Sequence, residues 1–217
     1  MTVSPFIDGE SSEWGSYEET DDRRMMGALL ARLHAATDSV PTHLPRREDF
    51  AIPSRAALLE ALDDLDRSWD SGPFAEPARK LLRLSGDELE RRLQEYDELV
   101  ASVRERPDPW VVTHGEPHRA NVMRDLQGTV RLIDWDSTLI APKERDLWMV
   151  LDEELTGWDE YRDLTGVVSL NHEALQLYRW WWELADVAIF VAGFRRPHER
   201  TEDTAASWGH LQRGLAT

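Results

Sequence analysis

One stretch, 111–147, holds nearly all the side chains that could do chemistry: His114, Glu116, His118, Asn121, Asp134, Asp136 and Asp146. Asn121 follows Glu116 by five residues, and Asp134 follows a run that reads as a tight β-hairpin. A hairpin brings the residues before its first strand near those after its second, so Glu116, Asn121 and Asp134 are expected to converge. A carboxylate beside an amide oxygen suits a hard divalent cation such as Mg²⁺. A second carboxylate can receive or orient a proton. Together these are the parts of a phosphoryl-transfer site. A different reading starts from His114, Glu116 and His118, which alternate and would share one face of an extended segment. With Asp134 or Asp136 they could form the transition-metal site of a metal-dependent hydrolase. Gly115 and Pro117 disfavour the regular strand that this reading needs.

The elements that must position these residues are short strands in a mostly helical chain. Trp110–Thr113 reads as a buried strand. Asn121–Met123 and Val130–Ile133 read as two strands joined by a turn at Asp125–Gly128. Upstream, residues 2–8 read as extended, and 8–22 read as a solvated loop with seven acids and no base. Thr20 or Asp21 is expected to cap a helix carrying Met26, Leu29, Leu30 and Leu33 inward. Ser54 is expected to cap a second, which Ser71–Phe74 ends. A short helix is expected at 77–84. A capping box at Ser85 and Glu88 is expected to open a separate long helix, ended by Pro107 and Pro109. Downstream, helices are expected over 144–154, 158–164, from Asn171 to about Gly193, and from Thr201 or Asp203.

Composition sets the outer limits. The 217 residues suffice for a sizeable core, and 41% hydrophobic against 31% charged residues describes a globular chain. No apolar run approaches the ~18 residues of a membrane span, and the N-terminus lacks the pattern of a signal peptide. With no cysteine there is neither a disulfide framework nor a thiolate site. A cytoplasmic protein is the expectation. The formal charge of −17 argues against nucleic acid as a partner and suits a cationic small molecule. Trp180-Trp181-Trp182 and Asp186 one turn later stand apart; three consecutive indoles on a helix cannot all face one core.

The central residues resemble the catalytic core of the aminoglycoside phosphotransferase and choline kinase family, a branch of the protein-kinase-like fold. The family's H-G-D-x-x-x-x-N appears here as His114-Gly115-Glu116-Pro117-His118-Arg119-Ala120-Asn121. Its I-D-[WF]-[DEG] appears as Ile133-Asp134-Trp135-Asp136, and a D-L pair appears as Asp146-Leu147. Leu33-His34 and the run Pro5–Gly9 also look like family features. The resemblance implies an α+β, mostly α fold: one kinase-like C-lobe over 1–217, with a hinge-like segment at 1–9, a catalytic hairpin region at 110–136 and helices elsewhere. It implies Glu116 as the group that takes or orients the substrate hydroxyl, with His114 bracing the loop. It implies Asn121 and Asp134 as Mg²⁺ ligands, and the backbone of Pro5, Phe6 and Ile7 as the partner of the adenine of ATP. Asp136, Asp146 and His118 would be substrate or support residues. The substrate would be a small, cationic, hydroxyl-bearing molecule.

Two departures accompany the resemblance. Glu116 stands where the family has Asp, and H-G-E-P-H reads as a subgroup's variant with an adjusted loop. No glycine-rich phosphate loop precedes the hinge, and Lys80 and Lys143, the only lysines, both lie after it. The chain therefore reads as a C-lobe without its N-lobe. A missing upstream segment, an N-lobe given by a partner or a homo-oligomer, and a non-catalytic kinase-like binding protein are the readings that follow.

Overall fold

The computed structural model describes residues 8–11, 13–41, 46–106 and 108–216. Pro5, Phe6 and Ile7, and with them the hinge expectation, lie outside the described residues. Among those described, the chain is α+β and mostly α, with seven α-helices and six short strands. It divides into two compact units, residues 1–48 with 107–175, and residues 49–106 with 176–217.

The first unit carries the chemistry-bearing stretch. Its strands are β1 (Gly9–Ser11), β2 (Arg46–Arg47), β3 (Val111–Thr113), β4 (Val122–Asp125), β5 (Val130–Leu132) and β6 (Leu139–Ala141). They form two three-stranded sheets, ordered β1-β4-β5 and β2-β6-β3. The hairpin is present as expected: β4 and β5 pair antiparallel, Val122 opposite Leu132. Its turn is closed by Asp125, whose Oδ1 accepts from the backbone N–H groups of Gln127 and Thr129, with Gly128 at φ +79°.

Two features correct the sequence expectation. The acid-rich segment is not loop throughout, because β1 pairs antiparallel with β4, Glu10 opposite Arg124. The second sheet was not anticipated either, so the remainder of the chain is not wholly helical. β6 pairs antiparallel with β3 and parallel with the two-residue β2. Strands of two or three residues are too short to show a period of two.

Behind the sheets, α1 (Thr20–Ala35) packs on α4 (Glu144–Val150) and α5 (Trp158–Thr165). Met26, Leu30, Leu147, Val150, Trp158 and Tyr161 form the buried core between them. The first residue before α1 is Glu19, with no side-chain cap, so neither Thr20 nor Asp21 plays the capping role expected; Asp21 and Asp22 instead lie in the first turn, where acids suit the helix dipole. α1 approaches the loop before α5 closely enough to require glycine. Gly157 has φ +96°, and a Cβ on Gly27 would lie 2.1 Å from the Gly157 carbonyl oxygen.

The second unit is built on α3 (Ala75–Glu105), with α2 (Arg55–Asp63) and α7 (Glu202–Leu215) packed against it. α6 (His172–Phe194) begins in the first unit and contributes most of its length to the second. Asn171 caps α6 as expected, its Oδ1 accepting from the N–H groups of Glu173 and Ala174. Thr201 caps α7 in a reciprocal box with Thr204. Ser54 precedes α2 but in a left-handed conformation, without a capping bond. The break expected at Ser85 does not occur, and α3 is one helix of 31 residues. Ala78, Leu82, Leu89, Leu93, Tyr96 and Val103 form one buried stripe that runs straight past Ser85 and Gly86. Glu88 is drawn instead into ion pairs with Arg91 and Arg92. Pro77 is tolerated because it sits in the first turn, where its missing N–H has no helical partner.

Gly27→Ala tests the α1 contact. The added methyl cannot be accommodated without parting two backbones, so we expect a loss of about 1–3 kcal/mol. Urea denaturation should show a lower midpoint with an unchanged slope.

Candidate active site

The loop 114–121 between β3 and β4 meets the loop 133–138 between β5 and β6, and the start of α4 lies behind both. The meeting is made by backbone bonds. Ile133 N–H donates to the Asn121 carbonyl at 2.9 Å. The His114 imidazole, fully buried, donates from Nε2 to the Ile133 carbonyl at 2.8 Å. Its Nδ1 accepts from the Glu116 N–H at 3.3 Å. Both ring nitrogens are therefore in use, and the ring is neutral: burial lowers its pKa, against the pull of Asp146. Trp135 meets the same ring edge-on, centroids 4.7 Å apart.

Asp146 holds the loop from beneath. Its carboxylate is completely buried. It accepts the backbone N–H of His114 at 2.8 Å and of Gly115 at 2.6 Å. His34 Nε2 lies 3.0 Å from its Oδ2, and His34 Nδ1 lies 2.8 Å from the Tyr161 hydroxyl. Burial alone would raise the Asp146 pKa, but the bonds from His34, Gly115 and His114 outweigh it, and the net shift is downward. Beside it, Arg145 donates to the Thr113 hydroxyl and the Ser137 carbonyl and pairs with Glu48. Its guanidinium fills the space where a Gly115 side chain would go, 2.4 Å from the Cβ position, and Gly115 has φ +97°. Tyr17 adds a strap, its hydroxyl donating to the Pro117 carbonyl at 2.7 Å.

The remaining candidate residues lie around this scaffold. Asn121 is buried, and its Nδ2 donates to the Glu116 carbonyl at 2.9 Å. That bond turns Oδ1 away, and no described residue bonds it. Asp134 is exposed, has φ +62°, and its carboxylate bonds to no described residue. Glu116 is half exposed, and His118 Nε2 lies 3.9 Å from its Oε2. Burial lowers the His118 pKa, while Glu116 and Asp134 act in the opposite sense on both His118 and His114. Both carboxylates therefore lie within electrostatic reach of the same two rings. Asp136 is exposed with no described partner. His34, Tyr161, Arg145 and Tyr17 are the supporting residues that sequence reasoning did not place; the Leu33-His34 pair was its one signal of them.

The donor set fits Mg²⁺. The Asn121 amide oxygen and the Asp134 carboxylate are two oxygen donors without partners among the described residues, the number Mg²⁺ takes from a protein when phosphate oxygens and water complete its shell. The hydrolase reading fits less well. His114 has no nitrogen to offer, and among the described residues no three of His, Asp and Glu converge on one point.

Known proteins were compared with this chain. A family model described as the phosphotransferase enzyme family matches residues 1–184. Protein StrN of Streptomyces griseus is 30% identical over 228 residues, covering 99% of this chain and 65% of that protein. Among solved structures, spectinomycin phosphotransferase in complex with ADP and spectinomycin superposes with a TM-score of 0.76 at 18% identity, covering 96% of this chain and 65% of that one. An aminoglycoside phosphotransferase from Alicyclobacillus acidocaldarius gives 0.65, again at 18% identity and covering 96% and 65%. These structures share the fold, the mostly helical kinase-like lobe expected from the motifs. The chain spans about two thirds of the length of the relatives it matches.

Asp146→Asn should separate the scaffold from the chemistry. Asparagine keeps one acceptor oxygen where three donors converge, so we expect a loss of about 3–5 kcal/mol at neutral pH. The Asp146 pKa is lower folded than unfolded, so its contribution is complete above the unfolded value near ~3.9. It fades as pH falls through the folded value. The gap between wild type and variant in urea titrations should thus be constant from pH 5 to 8 and close only in stronger acid.

Proposed function

The chain belongs to the phosphotransferase enzyme family, and from that premise we propose that it transfers the γ-phosphoryl group of ATP to a hydroxyl of a small cationic molecule. The observation that carries the reading is the pairing of free and spent groups. His114, Asp146 and the loop backbone are fully engaged. The Asp134 carboxylate and the Asn121 oxygen bond no described residue, and the Glu116 carboxylate meets only His118, at 3.9 Å.

In the proposed reaction Glu116 accepts a hydrogen bond from the acceptor hydroxyl and orients its oxygen toward the γ-phosphorus. As the new P–O bond forms and the bond to ADP breaks, the hydroxyl proton passes to Glu116. Asn121 and Asp134 would hold Mg²⁺, which would supply positive charge to the phosphate oxygens. His114 keeps the peptide before Asp134 fixed, and with both its nitrogens engaged it takes no proton from the acceptor. The longer side chain at 116 is matched by a loop anchored at both ends, through Asp146 and through Tyr17. Restoring the family's residue by Glu116→Asp should then withdraw the carboxylate by about 1 Å and slow transfer by ~10²-fold. The acidic charge of the chain favours a cationic acceptor.

The test combines binding with turnover. Calorimetry should show Mg²⁺-dependent binding of ATP, lost in Asp134→Ala. ADP release should be stimulated by one member of a panel of hydroxylated amines, spectinomycin included because a protein of the same fold binds it. Glu116→Gln should cut kcat by ~10²–10⁴-fold with nucleotide affinity unchanged. No Mg²⁺-dependent nucleotide binding, or full turnover in Glu116→Gln, would overturn the proposal. Nucleotide binding without ADP release for any acceptor would assign the non-catalytic reading instead.

A further inference from the structure

The Trp180-Trp181-Trp182 run takes no part in the site above. It lies on the portion of α6 in the second unit, and successive residues there point about 100° apart. The three indoles accordingly have different surroundings. Trp181 donates its Nε1–H to the Ala51 carbonyl at 3.0 Å. Trp180 is covered by the guanidinium of Arg92, 5.1 Å from the ring centroid. Trp182 stands one turn before Asp186, so the two share a face of the helix. Trp180, Trp182 and Asp186 line a groove of about 520 Å³ whose other walls are Arg92 of α3 and His210 and Arg213 of α7. Small-molecule sites typically enclose ~300–1,000 Å³.

The charges in this groove are unevenly spent. Arg92 bonds Glu88 at 2.7 Å and the Gly214 carbonyl at 3.4 Å. Arg213 donates to Nδ1 of His210 at 3.0 Å, which leaves His210 with its proton on Nε2. Neither guanidinium bonds Asp186, and Asp186 accepts no hydrogen bond from any described residue. It is nevertheless half-buried, and burial pushes its pKa up, with His210 acting against that. A carboxylate withdrawn from water without a partner is costly. An ammonium group is the partner that removes the cost, and an indole face adds attraction to the same cation. An anionic ligand would meet Asp186 and Glu183, while a neutral one would leave Asp186 unpaired.

We propose that the second unit carries its own binding groove for a protonated organic amine with a flat or apolar body. The ammonium sits on Asp186, and the body lies along Trp182 and Trp180 toward His210. This inference stands apart from the phosphoryl-transfer reading, because every group it uses lies within the second unit.

The experiment titrates the full chain, without nucleotide, with phenethylamine hydrochloride and with its neutral and anionic counterparts, 2-phenylethanol and 3-phenylpropionate. Tryptophan fluorescence and calorimetry are the readouts. The amine should bind saturably at millimolar concentration, at least tenfold more tightly than either counterpart. Asp186→Asn, close in shape to the parent, should abolish that preference while the circular dichroism spectrum stays unchanged. Glu116→Gln should leave the binding intact. No saturable amine binding, equal binding of the anionic counterpart, or a preference that survives Asp186→Asn would each overturn the proposal. Loss of amine binding in Glu116→Gln would place the amine at the first unit's site and overturn it as well.

Discussion

A single buried carboxylate governs the first unit. Asp146 has no contact with water, and an ion in that position is tolerable only when its lone pairs are filled. They are filled by two peptide N–H groups of the loop and by His34. The peptides on either side of His114 are thereby fixed, and the ring can do only one thing. It bonds the Ile133 carbonyl, and so sets the backbone from which Asp134 departs at positive φ. One hidden charge thus determines the position of two exposed ones. The chain of contact runs on through His34 to Tyr161, tying the loop to α1 and α5, the best-packed helix pair of that unit.

The same arrangement leaves the exposed acids without an arginine partner. Asp134 bonds no described residue and Glu116 meets only His118, although several arginines lie in the same unit. Arg145, packed against Gly115, is spent on Thr113, Ser137 and Glu48, and Arg119 within the loop turns to Glu18. Gly115, forced to φ +97°, gives its guanidinium room. Tyr17 closes the far side through Pro117. The free acids are the result of a scaffold in which nearby donors have been assigned elsewhere, the condition that a site needs in order to direct its charge at a ligand.

What the sequence made legible follows from range. The hairpin, its Asp125 turn and the cap at Asn171 depend on residues within a few positions of one another, and each is found where local pattern places it. The convergence of Glu116, Asn121 and Asp134 was readable for the same reason, since a hairpin is a local way to bring distant residues together. The β2-β6-β3 sheet was not readable: β2 pairs with β6 across more than ninety residues and has only two residues of its own. The Ser85–Glu88 signal misled because a cap is a weak local preference. The stripe from Ala78 to Val103 buries far more, and burial prevailed. His34 and Tyr161 escaped because nothing in either's neighbourhood indicates that the same aspartate's network will join them from different helices.

Two aspartates show how residue type alone leaves function undecided. Asp146 and Asp186 are both withdrawn from water, wholly in one case and half in the other. Burial acts on both in the same direction, toward the neutral acid. In Asp146 three donors reverse it, and the pKa falls. In Asp186 only His210 opposes it, and the pKa rises. The first is a group whose partners are complete, and its role is to hold. The second lacks a protein partner in a groove walled by indoles, where water or a ligand entering the groove supplies the missing donors. The difference lies in the count of donors around each carboxylate, a quantity that emerges only when α1, α4 and the loop 114–121 meet in one place and α3, α6 and α7 in another.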